Sequence, residues 1–283
     1  MTIKPIAMVV TDLDGTLLNS SGLLSSGNRN VLLKLPAAKV IRVVATGRSL
    51  WSALKAIDTT TPLDYLVFAS GAGVVSWPAR ELLHSQHLSS HQALTAARML
   101  REHQCDFMLH QPVPENHRFW YHRSNELNPD FDRRIQRYQP YADPWPSGDG
   151  FTEEFSQLLV IQPPQIGGVT QSLLSESLSP LNVIRTTSPL DHRSYWFEIF
   201  PASVSKVSGI EWLINHHGLD NDSVLTIGND FNDLQMLEWA VHPRVVANAP
   251  AEICQRFETV PGNDEDGFSV AVRNWVKERG LIL

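Results

Sequence analysis

From Pro5 onward, short apolar runs end again and again in polar or glycine-containing turns. Ile6-Ala7-Met8-Val9-Val10 is apolar without interruption over a strand's length, the pattern of a strand buried on both faces of a parallel sheet. Positions 40–45, 65–69 and 223–227 have the same character, and 244–247 makes a fifth candidate. Helical patterns lie between or after them, at 49–57, 207–216 and 234–240. Strands alternating with helices predict a mostly parallel, Rossmann-like α/β core with right-handed crossovers.

The middle of the chain breaks this rhythm. Between about residues 82 and 189 the composition shifts toward His, Gln, Arg, Pro and aromatic side chains. Phe107-Met108-Leu109-His110, Phe119-Trp120-Tyr121-His122 and Leu158-Leu159-Val160-Ile161 have strand character with helical stretches around them. The pattern predicts an α+β domain over 82–189, inserted into a core built from 1–81 and 190–283. The Pro- and Gly-containing segment 141–150 is expected to be a loop of that insert.

A length of 283 residues with 42% hydrophobic content supports a full core and argues against disorder. The formal net charge of -7 gives no support for a nucleic-acid partner. The two cysteines, Cys105 and Cys254, lie far apart without a CxxC pair, and the eleven histidines form no HExxH motif. No apolar stretch approaches the roughly 20 residues that cross a bilayer, and no signal peptide is visible. The expected setting is the reduced cytoplasm, with no membrane partner.

Candidate chemistry gathers where the strands should end. Val10-Thr11-Asp12-Leu13-Asp14-Gly15-Thr16 places two carboxylates two residues apart at the end of the first strand, where α/β sheets bind ligands. An ordinary turn after a strand also favours Asp and Gly. Two carboxylates on one side, however, suit a hard divalent cation completed by substrate phosphate. One can attack phosphorus while the other handles protons. Thr46-Gly47-Arg48 ends the second strand just before a helical pattern, where a hydroxyl and free amides can hold phosphate or simply cap the helix. Lys206 opens a helix after the strand-like 196–200 run and can neutralise phosphate and nucleophile charge. Gly228-Asn229-Asp230-Phe231-Asn232-Asp233 follows the fourth strand with several oxygen-bearing side chains in one turn.

Together these segments resemble the haloacid dehalogenase superfamily, and more closely its Cof-like branch with a type IIB cap. Asp12-Leu13-Asp14-Gly15-Thr16 is similar to its first motif, Thr46-Gly47-Arg48 to the second, the region of Lys206 to the third, and 228–237 to the fourth. Ala247-Asn248-Ala249 and Asp266-Gly267 resemble the family's closing stretches. The resemblance implies a magnesium-dependent (Mg2+) phosphatase acting on a small phosphorylated metabolite such as a sugar phosphate. It implies Asp12 as nucleophile and metal ligand, and Asp14 as general acid/base with its main-chain carbonyl on the metal. Thr46 and Lys206 would hold the phosphoryl group, with Gly47, Arg48, Ser70, Gly71 and Asn232 around it.

Two departures stand out. Asn229 replaces the family's usual Asp after Gly228, which keeps an oxygen ligand but removes a charge; Asp230 or Asp233 could compensate. Ser70-Gly71-Ala72 replaces the usual Asn-Gly-Ala. The insert would be the substrate cap, with Asn116 and His117 in a Pro-stiffened polar loop as its candidate contacts. Arg118, Arg123, Arg133 and Arg134 could meet a second anionic group or serve as surface charge. The rival readings are a phosphomutase of the same superfamily, a catalytically weakened binding protein, and a signalling receiver, which lacks both the Asp12/Asp14 pair and an insert.

Overall fold

The computed structural model describes residues 5–124, 127–146, 148, 150–163, 169–188, 190–191 and 193–283. The chain divides into two compact units, one of residues 1–48, 52–84 and 205–283, the other of residues 49–51 and 85–204.

The first unit begins with β1 (Ala7–Thr11), α1 (Ser26–Lys34), β2 (Val40–Ala45), the short α2 (Leu50–Ala53, which straddles the boundary between the units), β3 (Tyr65–Phe68), β4 (Gly73–Ser76) and β5 (Leu82–Ser85). The chain then builds the second unit from α3 (Ser90–Glu102), β6 (Phe107–His110), β7 (Phe119–His122), α4 (Pro129–Arg137), β8 (Ala142–Pro144), β9 (Gln157–Gln162), α5 (Gln171–Ser177), β10 (Asn182–Thr187) and β11 (Tyr195–Phe200). It returns to the first unit with α6 (Lys206–His217), β12 (Val224–Gly228), α7 (Leu234–Trp239), β13 (His242–Val246), α8 (Ala251–Cys254), β14 (Thr259–Val260) and α9 (Gly267–Glu278).

The sheet of the first unit runs β14-β13-β12-β1-β2-β3-β4-β5. β1 has parallel partners on both sides, β2 and β12, which explains why all five of its residues are apolar or buried. Met8 and Val10 face one side and pack with Ile41, Val43 and Val67 against Ile210, Leu213 and Ile214 of α6. Each such aliphatic side chain contributes about 1.5–3 kcal/mol by leaving water. Val9 alternates to the opposite face, where α1 and α9 lie together and Phe268, Val272 and Trp275 are fully buried. From β1 the strand order proceeds to β2 and β3 on one side and to β12 and β13 on the other. The carboxyl end of β1 is therefore a topological switch point, where open α/β sheets form their ligand crevice.

The second unit has its own sheet, β10-β11-β9-β6-β7-β8, antiparallel except for the β7–β8 pair. Both of its faces are covered. Along β9, Leu158 and Val160 join a cluster with Leu100, Phe107 and Leu174, while Leu159 and Ile161 join one with Met108, Phe119 and Phe131. Among the described residues no helix is long and apolar enough to cross a membrane.

The structure corrects several sequence expectations. The core does not resume at residue 190, and Pro189 lies outside the described residues. β11 pairs with β9 and β10, so the first unit resumes only at Ser205. Lys206 thus follows a strand of the second sheet rather than one of the core. The helix expected over 49–57 shrinks to α2, because the N–H groups of Lys55 and Ala56 reach back only three residues, to Ser52 and Ala53. The expected loop over 141–150 opens with β8, whose backbone pairs with β7; Ser147 and Asp149 lie outside the described residues.

Candidate active site

The carboxyl end of β1 is pinned before any side chain acts. Thr11 is in register with Val44 of β2 and Ile227 of β12, and the Asp12 N–H donates to the Ile227 carbonyl at 2.9 Å. Asp12 is buried there, beside the end of α6, whose first residue is Lys206. Ser205 caps that helix by accepting the Ser208 N–H at 3.2 Å, which sets where Lys206 begins. The Lys206 ammonium donates to Asp12 Oδ1 at 2.5 Å and to Asp233 Oδ1 at 2.6 Å. Both Lys206 and Asp233 are buried, so this bridge is screened little by solvent.

Asp233 has no oxygen to spare. Its Oδ2 accepts the N–H groups of Asn229 at 2.9 Å and Asp230 at 3.2 Å, shaping the turn after β12. Asp230 accepts the Phe231 N–H at 2.8 Å and caps the same turn. Asn229 is oriented differently, its Oδ1 accepting the Thr16 hydroxyl at 3.0 Å. Asn232 is half-buried in the turn.

The charges do not balance. Burial foremost, then the Asp233 charge, pushes the Asp12 carboxyl up to about 8, against the opposing pull of Lys206. Burial works to lower the Lys206 pKa, but the two carboxylates outweigh it and hold the ammonium protonated, with its pKa raised. A proton on Asp12 or an added cation relieves the excess negative charge. The sign follows from linkage. Folded Asp12 keeps its proton to higher pH than the unfolded side chain, so between about pH 4 and about pH 8 the native state binds more protons. Without metal, this site should make stability fall as pH rises through that window. Asp12→Asn should flatten the slope, as thermal melts across the range would show; an identical slope in the variant would contradict the assignment.

Asp14 lies two residues further, on a turn in which Gly15 takes the left-handed region (φ 72°). Its carboxylate is held in a fork by Arg48, Nη2 to Oδ1 at 2.6 Å and Nε to Oδ2 at 2.7 Å. Arg48 Nη1 also donates to the Ser52 carbonyl at 3.1 Å. Arg48 thus grips Asp14, a contact the sequence did not reveal; bidentate Arg–carboxylate geometry makes such a grip directional.

Thr46 is buried at the end of β2, its hydroxyl accepting the Arg48 N–H at 3.1 Å across Gly47. The Ser70 N–H donates to the Thr46 carbonyl at 3.0 Å, which joins this turn to the one after β3. At Gly71 (φ 102°) a Cβ would stand 1.9 Å from the Ser205 carbonyl oxygen. Glycine is thus what lets the Ser70 turn meet the start of α6.

The remaining expected contacts lie in the second unit. His110 Nδ1 donates to the Asn116 carbonyl at 2.7 Å, and the His117 ring stacks on Trp51 with centroids 5.4 Å apart. Arg118 pairs with Glu115, Arg123 with Asp132, and half-buried Arg134 lies over Tyr138 and Trp196. Arg133 is exposed.

The oxygens suited to a cation are the Asp12 carboxylate, the Asp14 main-chain carbonyl and Asn229 Oδ1. Asp230 and Asp233 are engaged in shaping the turn and holding Lys206. Among the described residues no three His, Cys, Asp or Glu side chains form a metal cage. One carboxylate plus neutral oxygens fits a cation that keeps waters and takes phosphate oxygens, as magnesium does.

A family model of haloacid dehalogenase-like hydrolases matches residues 9–272. The 5-amino-6-(5-phospho-D-ribitylamino)uracil phosphatase YwtE of Bacillus subtilis is 25% identical over 286 residues, spanning 92% of this chain and 95% of its own. Among solved structures, the phosphatase BT1666 of Bacteroides thetaiotaomicron superposes with a TM-score of 0.78 at 21% identity, covering 99% of this chain and 97% of that one. The subclass IIB sugar phosphatase BT4131 gives 0.74 at 17% identity, covering 98% and 100%. The match over nearly the whole chain is decisive: this protein belongs to the haloacid dehalogenase-like hydrolase family.

Proposed function

We propose that the chain is a magnesium-dependent phosphatase that hydrolyses a phosphomonoester of a small metabolite through a phospho-aspartyl intermediate on Asp12. The observation that carries this reading is the buried Asp12–Lys206–Asp233 bridge at the switch point of the sheet. Lys206 alone does not balance two buried carboxylates, so Asp12 stays over-charged beside Asp233, and burying such a charge is unfavourable unless it is used.

In the proposed cycle an Asp12 oxygen attacks phosphorus as the ester P–O bond breaks, and Asp14 gives its proton to the leaving oxygen. Water then attacks phosphorus, Asp14 takes up its proton, and the new aspartyl O–P bond breaks to release phosphate and regenerate Asp12. Thr46, Lys206, Ser70 and the amides around Gly47 hold the transferring group. Asp12, the Asp14 carbonyl and Asn229 would hold magnesium, which when bound would supply positive charge to the phosphoryl oxygens. The inserted unit selects the substrate. The ribityl phosphate in the name of YwtE and the sugar phosphatase neighbour support a phosphorylated sugar or polyol.

Phosphate release from a panel of phosphorylated sugars, polyols and nucleotides, with magnesium or with chelator, tests the reading. Magnesium-dependent release is expected; no release from any ester with excess magnesium would overturn it. Asn229→Asp restores a charged ligand where the Thr16 hydroxyl already finds an acceptor. It should tighten magnesium binding on the order of ten-fold by titration calorimetry. An unchanged or weaker affinity would mean that Asn229 is not a ligand.

A further inference from the structure

Ala247-Asn248-Ala249 and Asp266-Gly267 take no part in the bond-making steps above. Their neighbourhood nevertheless grips the segment that follows Asp14. Exposed Asn248, just past β13, donates from Nδ2 to the Gly15 carbonyl at 2.8 Å. Its Oδ1 accepts the Asn263 N–H at 2.9 Å, and buried Asn263 donates from Nδ2 to the Leu18 carbonyl at 3.0 Å. Further along, Asp264 accepts the Ser20 N–H at 2.8 Å and Asp266 accepts the Ser25 hydroxyl at 2.5 Å. Residues 15–25 are thus held at successive points by residues 248–266.

The first of these points matters most for chemistry. Gly15 is the freest residue of the turn and lies next to Asp14, so the direction of the Asp14 side chain depends on what holds Gly15 in its left-handed conformation. Arg48 fixes the Asp14 carboxylate itself, and the Thr16–Asn229 bond fixes the residue after Gly15. Asn248 is the side chain that holds the Gly15 carbonyl. It is exposed, so it adds little to the packed core of the sheet, and both ends of its amide are committed to main-chain groups.

We propose that Asn248 is a positioning residue for the acid/base step: through the Gly15 carbonyl it aims Asp14 at the leaving oxygen, with Asn263 as the second peg of the same brace. The inference rests on the phosphatase reading above and adds to it a residue outside the reacting groups.

The test compares two esters in Asn248→Ala and Asn248→Asp; the second keeps the acceptor for Asn263 and loses the donor to Gly15. An alkyl phosphate needs its leaving oxygen protonated, whereas dinitrophenyl phosphate does not. For the alkyl ester kcat/KM should fall on the order of ten-fold or more in both variants. For dinitrophenyl phosphate it should stay within about two-fold, with melting curves like the wild type's. A loosened fold would lower both values together. Equal losses on the two esters, or none on either, overturn the brace while the phosphatase reading stands. A wild-type chain that turns over neither ester overturns both.

Discussion

Asp12→Asn is expected to abolish phosphate release, by roughly a thousand-fold or more, and to leave the fold in place. The substitution keeps the shape of the side chain and removes the anionic oxygen that attacks phosphorus. The surroundings tolerate it for physical reasons. Lys206 still has Asp233 at 2.6 Å, and the Asp12 main chain stays bonded to Ile227. The amide also removes the charge that burial and Asp233 disfavour, the causes that push the Asp12 carboxyl up to about 8. Phosphate release and a thermal melt of the same preparation check both halves. A folded variant with a few percent of wild-type activity or more would sink the nucleophile assignment.

Lys206→Met is expected to do more harm to the fold than any other single change at the site. It removes the one cation between two buried carboxylates, leaving Asp12 and Asp233 to repel each other in a poorly hydrated place. Breaking a buried pair in this way typically removes about 3–5 kcal/mol of stability. Because a proton on either carboxylate relieves the repulsion, the loss should be larger near pH 8 than near pH 5. Adding Asp233→Asn should recover part of the stability and none of the activity, since Lys206 also neutralises the transferring phosphoryl group. Urea unfolding at the two pH values reads the effect. An unchanged midpoint in the single variant would mean that the bridge does not hold the site together.

Parallel strands buried on both faces write themselves into sequence as unbroken apolar runs, which is why β1, β2, β3, β12 and β13 were legible with their polar ends. The same logic failed at β11. Its run, from Tyr195 to Phe200, looks alike whichever sheet it joins, and only its antiparallel pairing with β9 and β10 assigns it to the second unit. β4 and β5 were missed because one is a four-residue strand just behind a left-handed turn and the other is a half-exposed four-residue strand, only half of it apolar.

At the site, residue types were readable and their division of labour was not. Asn229, Asp230 and Asp233 lie within five positions, and sequence alone treats their oxygens alike. The turn geometry commits Asp233 to Lys206 and two main-chain N–H groups, and Asp230 to a cap. Arg48 was legible as a charge beside Thr46, but its reach across to Asp14 belongs to the tertiary fold. Asn248 carried a faint signal, as part of a family-like stretch without a role. Asn263 carried none, since a lone Asn in a turn is unremarkable until its partners are known.

The phospho-aspartyl intermediate is tested most directly by quenching the enzyme during its first turnovers of an active ester and trapping the acyl phosphate with borohydride. Reduction turns a phosphorylated aspartate into homoserine, which mass spectrometry of the peptide carrying Asp12 would locate. Homoserine is expected at position 12, dependent on substrate and on magnesium and absent from Asp12→Asn. Full phosphate release with an unmodified Asp12 throughout a series that resolves the first turnover, or modification at another residue, would contradict it.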